Sequence, residues 1–223
     1  MRARKTVSLI ALVLFGSAAI VAQDAVKVAP SNYKVLVDNA SVRVLKIEYA
    51  PGGKSAMHQH PDAIVVPLVA SKVRFTLPDG KSEDTELATE SAMYTPPITH
   101  SPANIGAGPV EAILIEFKGA APGKAVLPTA RENMTVKVLA EGPRGTAYRS
   151  TASPTFSEPA GTKHDYDQVV IALSNAPMSL SIDGKPAKTS WTRGEVAFIG
   201  RGVGHESKNT TGKPIDFVIV GVK

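Results

Sequence analysis

The chain has 223 residues, 43% of them hydrophobic and 20% charged, which is the make-up of a folded protein and excludes a wholly disordered one. It holds no cysteine, so a disulfide framework, a lipoprotein attachment site, thiolate catalysis and cysteine-type zinc sites are excluded. The formal net charge of +5 falls to +2 once Arg2, Arg4 and Lys5 are removed with a predicted leader, and no cluster of Lys and Arg remains to form a nucleic-acid footprint.

In chain order, "MRARK" followed by "TVSLIALVLFGSAAIVA" has the cationic start and short apolar stretch of a secretory signal peptide over residues 1–22, with cleavage after Ala22. The apolar stretch from Val7 to Ala22 falls short of the ~20 residues that span a bilayer, so no membrane span is expected after cleavage, and the destination is periplasmic or secreted. Beyond residue 30 helical periodicity is scarce, and short alternating segments bounded by Gly, Pro, Asn and Asp recur. "VRVLKIEY" (42–49) places Leu45, Ile47 and Tyr49 on one face of a half-buried strand, and "KVRFTL" (72–77) does the same with Val73, Phe75 and Leu77. "MSLSIDGK" alternates Met178, Leu180 and Ile182 with polar residues and then meets Asp183-Gly184, a two-residue hairpin signal. Many short strands predict an all-β fold built as a sandwich or barrel.

An internal repeat at an offset of about 104 residues divides the chain. "HPDAIVVPLV" (60–69) lies over "HDYDQVVIAL" (164–173), "PDGK" (78–81) over "IDGK" (182–185), and "AMYTPPITHSPANIGAGP" (92–109) over "VAFIGRGVGHESKNTTGKP" (196–214) with one residue inserted. His60 then matches His164, His100 matches His205, and Asn104 matches Asn209. The predicted domains are 30–118 and 134–223, joined by an Ala/Pro/Gly-rich linker over 119–133.

All five histidines fall at positions tied to the repeat. In a strand, residues i and i+2 point to one side, so His58 and His60 present two imidazoles to one face. His100 follows forty residues later, after a hairpin and a strand, and can return to the same barrel mouth. Three neutral imidazoles can take one face of a coordination sphere and leave the rest to water, oxygen or a substrate. Asp62, two residues past His60, is a candidate to substitute as a ligand, to accept a hydrogen bond from a ligand, or to act as a turn residue. No G-x-S-x-G elbow, phosphate-binding loop or H-E-x-x-H helix occurs. Asn133 and Asn209 match glycosylation acceptors formally.

The chain resembles a two-domain member of the cupin superfamily over residues 35–222, with tandem duplicated jelly-roll barrels. Gly52, His58 and His60 fit the first cupin motif, with Ile64 standing where the family has glutamate; His100 and Asn104 fit the second motif, although its glycine is absent. "GRGVGHESKN" (200–209) repeats the second motif with His205 and Asn209. The resemblance implies a divalent metal held by histidines, Fe in the first instance, with Zn, Mn, Ni or Cu as alternatives. It is similar to three-histidine cupins that activate oxygen on small organic molecules. The second half keeps His164 and His205, but Thr162 stands for His58 and Gln168 for Ile64, so His164, Gln168 and His205 form a weaker candidate set. Tyr166 and Trp191 are candidate pocket residues there. The expected function is an exported bicupin with a metal at His58, His60 and His100, acting as a dioxygenase on a small molecule, with Ile64, Val66 and Met57 limiting water access. The alternative is a non-catalytic exported protein that binds a small ligand or a metal, and a homodimer is one expected assembly.

Overall fold

The computed structural model describes residues 23–119, 130 and 132–223; the predicted leader and most of the predicted linker lie outside the described residues. The first half contains β1 (Gln23–Asp24), α1 (Ala25–Val28), β2 (Tyr33–Asp38), β3 (Val42–Tyr49), β4 (His58–His60), β5 (Ala63–Pro67), β6 (Ser71–Thr76), β7 (Ser82–Leu87), β8 (Met93–Thr95), β9 (Ile98–Asn104) and β10 (Val110–Phe117). The second half contains β11 (Met134–Glu141), β12 (Gly145–Ala152), β13 (Asp167–Ala172), β14 (Met178–Ile182), β15 (Lys185–Lys188), β16 (Val196–Ile199), β17 (His205–Asn209) and β18 (Ile215–Val222). No helix among the described residues is long and apolar enough to cross a membrane.

The strands of the first half form two sheets in the orders β1-β4-β9-β6-β7 and β2-β3-β10-β5-β8, and those of the second form β11-β12-β18-β13-β16 and β15-β14-β17. Within each half the two sheets enclose a core. Tyr33, Leu45, Val73, Leu87 and Leu114 fill the first, and Met178, Leu180, Trp191 and Phe217 fill the second. The first unit starts earlier than residue 30: β1 pairs in parallel with β4, Gln23 opposite His58, and Ala25 is fully buried. Asp24 caps α1, its Oδ1 accepting from the Val26 and Lys27 amides.

A third core lies between the halves. Val42, Val44, Ile64, Val66, Ile113 and Ile115 of one sheet cluster with Ala147, Val169, Ile171, Val218 and Val220 of the other. This corrects the expectation of a half-buried strand at residues 42–49. Leu45 and Tyr49 face the barrel interior, but Val42 and Val44, on the opposite pleat, are also buried because the second barrel covers them. Arg193 adds a polar tie across the seam, donating to the Leu68 carbonyl at 3.1 Å and to Glu111 at 2.7 Å.

The close approach depends on glycine. A Cβ on Gly145 would stand 2.5 Å from Phe117 Cζ and 3.1 Å from the Gly221 carbonyl oxygen. Gly145→Ala is therefore expected to destabilise the protein by about 1–3 kcal/mol through overpacking. Denaturant unfolding measures this, and an unchanged midpoint would mean that the seam is loose.

Repeat positions match in structure as well as in sequence. Asn104 Nδ2 donates to the carbonyls of Tyr49, Ala50 and Gly108, and its Oδ1 accepts from the Gly106 amide. Asn209 does the same with Ala152, Ser153, Lys213 and Thr211. Each asparagine is buried and ties together backbone groups from strand ends and the turn that follows it. The Asp183-Gly184 turn joins β14 to β15 with φ of 48° and 72°, the left-handed pair that a type I′ hairpin requires.

Candidate metal centre

Strand pairing brings the three histidines of the first barrel together. β4 runs antiparallel to β9 with His58 directly opposite His100, and the pleat returns His60 to the same side. The ring centroids stand 4.8, 5.1 and 5.3 Å apart, and every pair of rings is close to perpendicular. One ligand nitrogen from each ring falls within 4.8 Å of the other two, and all three residues are buried. Phe75 lies flat over His100, 5.0 Å between centroids.

Hydrogen bonds fix which nitrogen two of the three rings offer. His58 Nδ1 lies 2.8 Å from the Ala56 carbonyl, which can only accept, so Nδ1 carries the hydrogen and Nε2 keeps a lone pair. His60 Nδ1 likewise donates to Glu116 at 2.7 Å, leaving its Nε2 free to coordinate. The Tyr33 hydroxyl donates to His58 Nε2 at 3.0 Å and accepts from Tyr49, which is 2.8 Å from Ser55. Burial first, and the charges on His60 and His58 second, push the His100 pKa down to about 3. Burial also lowers the pKa of His58. His58 and His100 therefore stay neutral at pH 7, the state a metal ligand needs.

These depressed values have a stability consequence in the metal-free protein. Unfolded histidine titrates near 6.5, so between that value and the folded pKa only the unfolded chain binds the proton. Stability is then expected to fall as pH drops from about 6.5 to 5, with up to about 1.4 kcal/mol per pH unit for each proton taken up. Urea unfolding of metal-stripped protein at successive pH values tests this; a flat profile, or one that His100→Asn leaves unchanged, would contradict it.

Glu116, 1% exposed, is the residue that sequence reasoning missed. Burial alone would raise its pKa, but hydrogen bonds from His60 and Arg43, with the Arg43 charge, hold it below the usual glutamate value. Arg43 Nε reaches Glu116 at 2.5 Å and its Nη1 reaches Asp24 at 2.6 Å. The chain Asp24–Arg43–Glu116–His60 thus runs from the first described strand to a candidate ligand. A lone carboxylate inside the apolar run "ILIEF" (113–117) was the available signal, since a buried glutamate needs a partner.

Two expectations change. Ile64 does not occupy the position of a ligand. It is fully buried in the seam between the barrels with Val66, whereas Val65 lines the cavity beside His60 and His100, because neighbouring strand residues face opposite ways. Ile64 and Val66 therefore do not shield the site from water. Asp62 points elsewhere and accepts from the Tyr94 hydroxyl at 3.0 Å; the acceptor beside His60 is Glu116.

The cavity next to the cluster has a volume of about 350 Å³, within the range of small-molecule sites. Val65, Val73, Phe75, Leu87, Met93 and Leu114 make it mostly apolar, with Tyr33, Thr85, Thr95 and Glu83 as polar points. His58 lies behind Tyr33, and His60 and His100 face the cavity directly.

In the second barrel His164 and His205 come together with 5.0 Å between ring centroids. Gln168 is buried and lines a cavity with both, while Thr162 sits opposite His205 as His58 sits opposite His100. Trp191 is a core residue packed edge-on against Phe217, and does not line this cavity.

No family model matches the sequence, and no curated protein does. Solved structures do match the fold. AerE from Microcystis aeruginosa superposes with a TM-score of 0.64 at 12% identity, covering 86% of this chain and 97% of that one. Salicylate 1,2-dioxygenase from Pseudoaminobacter salicylatoxidans gives 0.61 at 9%, covering 83% and 70%. Oxalate decarboxylase from Bacillus subtilis, described with Mn(II) centres, gives 0.58 at 12%, covering 86% and 75%. These likenesses show a cupin-type fold, with two barrels in one chain. Histidine clusters able to hold a metal lie in both barrels.

Proposed function

We propose that this protein is an exported bicupin whose N-terminal barrel binds a divalent metal, Fe²⁺ first among the candidates, through His58, His60 and His100, and oxidises a small and largely apolar organic molecule. The observation that carries this reading is the convergence of three buried imidazoles beside a cavity of about 350 Å³. The donor set fits such an ion: His58 and His60 each have Nδ1 committed to a protein acceptor, which turns Nε2 inward. A bound Fe²⁺ would supply Lewis acidity and one-electron chemistry towards oxygen.

The chain's own groups do the rest. Glu116 holds the His60 ring in one tautomer, and its negative charge offsets part of the charge that three neutral ligands leave uncompensated. The apolar wall excludes water from the substrate space. Burial first, then Tyr49, raises the Tyr33 pKa well above the usual tyrosine value, so its hydroxyl stays a hydrogen-bond donor at the cavity edge. With His58 Nε2 taken up as a metal ligand, the Tyr33 hydroxyl would be free to donate to a substrate oxygen. Salicylate dioxygenase and oxalate decarboxylase share the fold, which supports metal-dependent chemistry on a small molecule here.

The test is elemental analysis of protein recovered from its exported compartment, followed by oxygen uptake with thiols, diketones and flavonols. About one metal in the first barrel, lost in His58→Ala, together with oxygen consumption, is the expected result. Metal content well under one per chain that His58→Ala leaves unchanged would overturn the reading. The absence of a carboxylate from the first cluster favours a second reading, a non-catalytic binder, in which a ligand would raise the melting temperature but consume no oxygen. Export predicts that the recovered protein begins at Gln23.

A further inference from the structure

The cavity of the first barrel carries polar groups at two ends, and a metal accounts for only one of them. At the inner end stand His60 and His100, and His100 Nδ1 is buried with no hydrogen-bond partner among the described residues. At the other end stands Glu83. Along β7 the residues Glu83, Thr85 and Leu87 share one face and all line the cavity, whereas Ser82, Asp84 and Glu86 fall on the opposite face. Leu87 is buried and Glu83 is exposed, so the carboxylate sits where the cavity opens to solvent.

Strand register sets the span between the two ends. Phe75 of β6 pairs with Glu83 on one side and with Pro102 of β9 on the other, and its ring stacks on His100. Two strand spacings of ~4.8 Å separate β7 from β9, so about 10 Å of largely apolar wall lies between the carboxylate and the strand that carries His100.

Charge is what makes Glu83 informative. The β6-β7 hairpin has three cations, and each stands against another carboxylate: Lys72 against Glu86, Arg74 against Asp84 and Lys81 against Asp79. Glu83 forms no ion pair among the described residues, and no lysine or arginine among them lines the cavity. An organic acid would meet repulsion at this opening and find no cationic side chain in the wall to offset it. Inward-pointing charges also protect sheet edges, and β7 is the edge of its sheet. That need is already met by Asp84 and Glu86, and it does not call for a carboxylate turned into the cavity.

We propose that the first-barrel cavity selects a cationic amine carried on an apolar alkyl or aryl body, and that Glu83 determines this specificity. The ammonium group donates to the Glu83 carboxylate at the opening, the apolar body lies against Val73, Phe75 and Leu87, and the far end points towards His60 and His100. The proposal rests on the reading that this cavity is the substrate space, but the preference for an amine requires neither a bound metal nor oxygen.

Calorimetry of metal-stripped protein with 2-phenylethylamine, 2-phenylethanol and phenylacetate tests this, because the three share one aromatic body and differ in the charge at one end. The amine is expected to bind about fivefold or more tightly than the alcohol, with the acid weakest, and the gap should narrow as salt is raised. Glu83→Gln should bring the amine down to the affinity of the alcohol and leave the alcohol unchanged, and Glu83→Arg should reverse the order of amine and acid. Equal affinities for amine and alcohol, or no binding of any of the three, overturns the proposal. So does an amine preference that survives in Glu83→Gln, and if that variant also aggregates more readily, Glu83 is an edge-protecting residue instead. Metal content and oxygen uptake are measured separately, so failure of the metal assignment is told apart from failure of the amine preference.

Discussion

Ile64→Glu will leave little folded protein, while Val65→Glu, one residue along, will fold and alter metal binding. Ile64 is fully buried in the apolar seam between the barrels, where nothing could pair with a carboxylate. An unpaired buried charge of this kind costs about 3–5 kcal/mol or more, a large part of a typical domain's stability. Val65 faces the cavity that His60 and His100 also line, and a glutamate there could reach water or a bound cation. Yield of soluble protein and thermal melting separate the two variants. An Ile64→Glu protein with unchanged melting would mean that the barrels do not share this core.

Glu116→Gln will keep the fold and weaken metal binding at the first cluster about 10- to 100-fold. The amide oxygen can still accept from His60 Nδ1, but the negative charge that strengthens this hydrogen bond and pairs with Arg43 is gone. Competition with a chelator of known affinity measures the change, and circular dichroism monitors the fold. If affinity is unaltered, His60 does not rely on Glu116 for its orientation.

Much of the architecture was legible because strands and turns declare themselves locally. The Asp183-Gly184 hairpin, the half-buried alternation of Val73 and Phe75, and the offset relating Asn104 to Asn209 all rest on residue types whose backbone or packing demands are strong. His58, His60 and His100 could be grouped because a period of two and one return strand suffice to bring them together. Long-range pairing was less visible. Glu116 meets His60 across 56 residues, Arg43 joins them from another strand, and Glu158 approaches His205 from outside any repeated motif. Ile64 was assigned to the wrong face because motif counting fixes a position along the chain, whereas the pleat decides which side it serves.

The seam between the barrels sets how the two halves could diverge. Val44, Ile64, Ile113 and Ile115 rest on Val169, Ile171, Val218 and Val220, so either half alone would present an apolar sheet to water. The halves are therefore partners bound for life: a change on the seam is felt by both, whereas a change inside one barrel is felt by one. A histidine could become Thr162 without disturbing the neighbour. Such a duplication lets one copy keep its chemistry while the other is free to become ballast, an anchor or something new.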